Sequence, residues 1–140
     1  MMREGRVMAG QSDGQDLTGV WNGLYSYPDG LSVTFVATLI DSGGAFTGSI
    51  HEPCVGGAAP GVTLYAALAG RRDAQAVSFR KTYDGTVPGY DTVHYVGTLN
   101  AEATEIEGRW IIPGVWSGKF MMIRPSRTEA MEKRQVSERA

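Results

Sequence analysis

The chain has 140 residues, 42% of them hydrophobic, and a formal net charge of -2. That is one domain's length with enough apolar residue for a core; it contains no apolar run near the roughly 18–20 residues a membrane helix needs, and none of the basic excess that a nucleic-acid backbone requires of its binder. The single cysteine, Cys54, excludes an internal disulfide and a multi-cysteine metal site, and it suits a reducing, cytoplasmic setting.

Residues 1–16 carry charge with no apolar stretch behind it, which is not the pattern of a secretory signal. They continue through a Gly, Gln, Ser and Asp-rich stretch and are expected to be disordered, with Met1 or Met8 as the natural start. From Leu17 the pattern turns to period two. About eight strands follow, near 17–27, 31–40, 45–53, 62–71, 76–83, 92–100, 105–112 and 116–124. The breaks have turn chemistry, as in Pro28-Asp29-Gly30 and Asp41-Ser42-Gly43-Gly44. Short connections without helices mean sequential hairpins rather than βαβ units. The connections after strands three and five, 53–61 and 84–91, are the long ones. In an up-and-down barrel both fall at one end, which makes that end the rim for a ligand. After Pro125, Ser126-Arg127-Thr128-Glu129 is a capping box, and Glu129 stands four before Lys133. Residues 126–140 therefore form either a short charged helix or a solvated tail, leaving 17–125 as the β domain.

Glycine explains why the sheet closes. Trp21-Asn22-Gly23, Phe46-Thr47-Gly48, Tyr95-Val96-Gly97 and Trp116-Ser117-Gly118 place glycine inside apolar strands. Such glycines weaken a strand unless it bends sharply or another chain passes close, and a narrow barrel requires both. The expected fold is all-β, a closed up-and-down antiparallel barrel. Alternation puts Val33, Phe35, Ala37, Leu39, Phe79, Tyr95, Ile106, Trp110, Trp116, Phe120 and Met122 inside. Val20, Val36, Ile40, Tyr65, Val96, Ile111, Met121 and Ile123 fall outside, enough to suggest a homo-oligomer through the outer strand faces.

Gly19-Val20-Trp21 opens the first strand and Arg124 closes the last, both Trp21 and Arg124 having inward parity at the closed end. A Gly-x-Trp start with a basic residue packed across the tryptophan resembles the signature of the calycin barrels: lipocalins, fatty-acid-binding proteins and avidins. The resemblance spans about residues 17–125. It implies Gly19, Trp21 and Arg124 as a structural signature, with guanidinium over indole sealing the barrel floor. Size and glycine-rich strands are nearest to avidins. Their inward asparagine two residues after the tryptophan is Gly23 here, so biotin binding does not carry over. The chain also resembles small uncharacterised bacterial proteins with a Trp-x-Gly-x-Tyr start and a Trp-Ser-Gly-x-Phe ending, a likeness that brings no activity.

The inward residues near the rim are Tyr25, Tyr27, Glu52, Lys81, Tyr83, Tyr95, Trp110 and Trp116. Inward charges are costly unless paired or wet, so Glu52 and Lys81 are expected to pair. Three functions stay open. The first is a non-catalytic module holding a small, partly apolar molecule in an aromatic mouth. The second is a filled barrel acting as a structural, interaction or inhibitor protein. The third is an enzyme using Glu52, Lys81 and a tyrosine for proton transfer. No catalytic residue, cofactor or metal site is assigned. His51 and His94 face outward away from other ligand types, and Glu105 and Glu107 share an outer face. Cys54 has no neighbouring base, Arg71-Arg72 reads as a solvated turn pair, and the Gly-Gly pairs lack a phosphate loop's lysine.

Overall fold

A computed structural model describes residues 16–53, 62–84 and 92–126. Eight strands follow in order: β1 (Gly19–Ser26), β2 (Ser32–Ser42), β3 (Ala45–Pro53), β4 (Thr63–Asp73), β5 (Ala76–Tyr83), β6 (Val93–Leu99), β7 (Glu105–Ile112) and β8 (Trp116–Ile123). Every neighbouring pair is antiparallel, and β1 pairs with β8 from Asn22–Ile123 to Ser26–Lys119, closing the barrel. The expected segment 1–16 up to residue 15, the long-loop residues 54–61 (with Cys54) and 85–91, and the tail from residue 127 lie outside the described residues.

Burial alternates along each strand, as period-two patterning dictates. The ends of β1, β3, β5 and β7 share one rim, and the opposite end is sealed by packing. There Trp21 is fully buried, its indole nitrogen donates to the Leu17 carbonyl at 2.9 Å, and the Arg124 guanidinium lies 4.5 Å from its ring centroid. Arg124 also donates to the carbonyls of Asp16, Thr18 and Ala103, so one side chain ties the start of β1 to the end of β8. Burial draws its pKa down from the ordinary arginine value. Above this floor, Phe79 stacks on Tyr95 at 4.6 Å, and Phe120 meets both edge-on.

Two strands run further than the turn chemistry predicts. β2 continues to Ser42 and β4 to Asp73. The alternation continues with them, turning Asp41 and Arg72 inward. Arg72 is not a solvated turn residue: its side chain is buried and its Nε donates to Asp41 Oδ2 at 3.0 Å. Asp41 also accepts the backbone N–H of Leu17 and of Gly44. Burial alone would raise the Asp41 carboxyl, but these donors together hold it below its usual range.

Candidate functional site

At the rim end, β3 and β5 each turn one charge inward. Glu52 is 2% exposed and Lys81 1%, and Lys81 Nζ donates to Glu52 Oε1 at 3.0 Å. The second carboxylate oxygen accepts the Tyr25 hydroxyl at 2.6 Å and the Tyr83 hydroxyl at 2.9 Å. Three strands (β1, β3 and β5) thus converge on one carboxylate. The ammonium is surrounded by ring faces: Tyr83 at 4.6 Å, Tyr25 at 4.7 Å, Tyr95 at 5.4 Å and Phe35 at 6.0 Å to the centroids. Ring quadrupoles and a paired carboxylate replace the water that burial removes. Among the described residues no buried side-chain nitrogen or oxygen lacks a hydrogen-bond partner.

Burial sets the electrostatics. It pushes the phenols of Tyr25, Tyr83 and Tyr95 well above their ordinary value, and the Glu52 charge adds to each. Burial also lowers Lys81, with Glu52 opposing that shift in part. The phenols therefore remain protonated, and those of Tyr25 and Tyr83 donate to the carboxylate.

The remaining rim residues form a second group. Tyr27, half-buried, packs against Trp116 at 4.9 Å and Trp110 at 5.4 Å, and Trp110 meets Trp116 edge-on at 6.1 Å. Trp110 is buried, its indole nitrogen donating to the Ser26 carbonyl at 2.9 Å across the β8 strand between them. Gly118 makes this possible: a Cβ there would collide with the Ser26 carbonyl and the Trp110 indole. Tyr25 joins the two groups, its ring 5.7 Å from Tyr27 and 6.2 Å from Trp110.

The barrel has solved counterparts. A redesigned β-barrel, b11L5F_LGL, superposes with a TM-score of 0.64 at 14% identity, covering 79% of this chain and 92% of its own. EF1p2_mFAP2b bound to DFHBI gives 0.60 at 11%, covering 78% and 94%. A de novo design of a fluorescence-activating β-barrel gives 0.59 at 12%, covering 81% and 98%. Identities this low show the fold alone. No family model matches the chain, and no curated protein does.

The expected residues divide by depth. Tyr25, Glu52, Lys81 and Tyr83 come together as one hydrogen-bonded unit. Tyr95 lies beneath it, in the stacked core. Tyr27, Trp110 and Trp116 form the lip. Trp116 differs from its inward parity: it is 45% exposed, because β8 begins there and the rim leaves one side of the indole uncovered. Gly23, where avidins place asparagine, lies under the Phe35 ring, which fills the space a side chain would need. His51 and His94 are exposed, and no metal-capable cluster of three or more His, Cys, Asp or Glu occurs among the described residues. The sequence reading missed the Asp41–Arg72 pair. Carrying the parity of Leu39 and Gly70 one step further would have found it.

Proposed function

We propose that the chain is a non-catalytic binding module that takes a small, partly apolar, planar molecule at the rim. The observation that carries this reading is the two-level mouth. A half-exposed aromatic lip of Tyr27 and Trp116 lies next to a hydroxyl-rich, charge-paired layer of Tyr25, Tyr83, Glu52 and Lys81. An exposed indole beside a half-buried phenol offers stacking area with a hydroxyl at its edge. The structural neighbour bound to DFHBI supports the reading, since the same architecture there holds a small molecule. The Trp21–Arg124 stack supports a calycin-like affinity for the fold, and a cytoplasmic setting goes with the lone cysteine.

Native mass spectrometry of the full chain purified from its own host tests the proposal. The expected result is an added small-molecule mass on the wild type that is lost from Trp116→Ala and from Tyr27→Ala, with both variants still folded. The bare chain mass on the wild type, together with no saturable change in tryptophan fluorescence when DFHBI is titrated, would count against it. That outcome would favour a second reading, a filled barrel with a structural or interaction role. Its support is the stacked Phe79–Tyr95–Phe120 layer, which occupies the middle of the barrel with side chains.

A further inference from the structure

A closed barrel has no free sheet edge, so association through its strands must use their outer faces. The outer face of β7, β8 and β1 has an ordered charge pattern. The strand registers set Glu105 beside Ile123, Glu107 beside Met121 and Arg109 beside Lys119; Met121 and Ile123 in turn lie beside Leu24 and Asn22 of β1. Acid therefore lies toward the closed end and base toward the rim. The apolar side chains Leu24, Met121 and Ile123 lie beside them, 41%, 39% and 47% exposed. A groove of about 360 Å³ runs along this face, lined by Leu24, Ser26, Glu107, Arg109, Lys119 and Met121.

Two features say that the face is incomplete. Arg109 and Lys119 are directly opposite across β7 and β8, an arrangement that destabilises a sheet unless something anionic lies over it. Among the described residues, none of Glu105, Glu107, Arg109 and Lys119 is in an ion pair, although acid and base are near neighbours; Arg109 spends one donor on Ser117 Oγ at 2.9 Å. A free anion over the basic pair would meet Glu107 in the same groove, and a cation over the acids would meet Arg109. The complement must itself carry acid and base in the reverse order beside apolar side chains. This face, turned end for end, is that complement.

We propose that two copies of this chain associate face to face through β7, β8 and β1, about a two-fold axis lying in the interface and crossing the strands. The pattern selects that axis. An axis along β7 would set Glu107 on Glu107 and Arg109 on Arg109, and one along β8 would set Lys119 on Lys119. An axis across them runs β7 over β7 in opposite directions and brings Glu107 of each copy to Arg109 of the other, with Met121 and Leu24 covered. The association is independent of the ligand reading.

Sedimentation of the full chain at about 100 µM and low salt is expected to give the mass of two chains. Glu107→Lys and Arg109→Glu each create two like-charge contacts at once, because the axis repeats every contact. Each should raise the dissociation constant at least about a hundredfold. Mixing these two variants restores both contacts, one with the original signs and one with the signs exchanged, so the mixture should return to the two-chain mass. The double variant Glu107→Lys/Arg109→Glu should do the same by itself. Both positions are exposed, and an unchanged far-UV spectrum controls for folding. A monomeric wild type, single variants that still dimerise, or a mixture that fails to reassociate would each overturn the proposal. So would dissociation by Tyr65→Ser, which lies on the opposite outer face.

Discussion

Lys81 can be carried inside the barrel because its partners stand in for the water that burial removes. Its ammonium has one carboxylate and several ring faces as solvent, and Glu52 has one ammonium and two phenols. Removing one partner strands the other. Lys81→Met should therefore cost about 3–5 kcal/mol, the range for breaking a buried pair. Glu52→Gln/Lys81→Met removes both charges and should lie much closer to the wild type. A urea-unfolding cycle on the two single variants and the double measures the difference; strictly additive costs would mean that the two do not act as a pair. The phenols make a separate expectation at high pH. Their folded pKa values are raised, so the native barrel retains protons that the unfolded chain releases above its ordinary value of 10.0. Stability is then fully present below pH 10 and falls as pH rises, by about 1.4 kcal/mol per pH unit for each buried phenol such as Tyr25 and Tyr95. Lys81 works the other way, its folded pKa being depressed. Its contribution is present above its ordinary 10.5 and lost as pH falls, so it adds no further slope beyond that point. Absorbance at 295 nm should show these tyrosines ionising only as the barrel unfolds.

At the scale of elements, hairpin ends and crossings decide stability. Trp110 reaches the Ser26 carbonyl over a strand that has no side chain at position 118. Gly118→Ala should cost about 2–3 kcal/mol by overpacking and should detach the Trp110 indole. Ala74, in the β4–β5 turn, has the opposite problem. Its φ of 55° lies in the left-handed region, where a Cβ is strained. Ala74→Gly relieves that strain at the first central position of a two-residue hairpin loop and should stabilise by about 0.5–1 kcal/mol. Thermal melts of the two variants check both signs, and a destabilised Ala74→Gly would show that the turn is not under strain.

For the whole molecule, closure depends on where the ends of the chain path meet. The β1–β8 ladder covers only five residue pairs, fewer than the eight of β1–β2. Arg124 reinforces it with three backbone acceptors and the Trp21 ring. Arg124→Ala leaves the Asp16, Thr18 and Ala103 carbonyls without that donor and uncovers the indole. A loss of about 2–4 kcal/mol is expected, with Arg124→Lys intermediate because an ammonium cannot match three diverging acceptors. Trp21→Ala should cost about 3–5 kcal/mol, in the range for buried large aromatics. Chemical denaturation with tryptophan emission as the probe measures both, and parental midpoints in both would mean that the floor does not hold the barrel shut.

Much of this was legible along the chain because a β-barrel is built from a local rule. Alternation assigns a face to each residue without knowledge of its neighbours, so the strands, the inward Glu52 and Lys81 and the Trp21–Arg124 floor could all be read from parity and end. Glycines inside strands announced the curvature. What parity cannot supply is depth and partner. Tyr95 and Tyr25 share a face assignment, yet one lies in the stacked core and the other binds Glu52. Trp116 has inward parity, yet the rim leaves it half open. Asp41 and Arg72 read as turn residues because turn chemistry is a short-range signal, and their ion pair joins residues 31 positions apart. The hydroxyl pattern around Glu52 likewise needs β1, β3 and β5 at one height. The amino-acid sequence by itself determined which side of the sheet each residue occupies, because that depends only on backbone pleat. The tertiary structure alone decided which inward groups meet, because that depends on the stagger and closure of strands far apart in the chain.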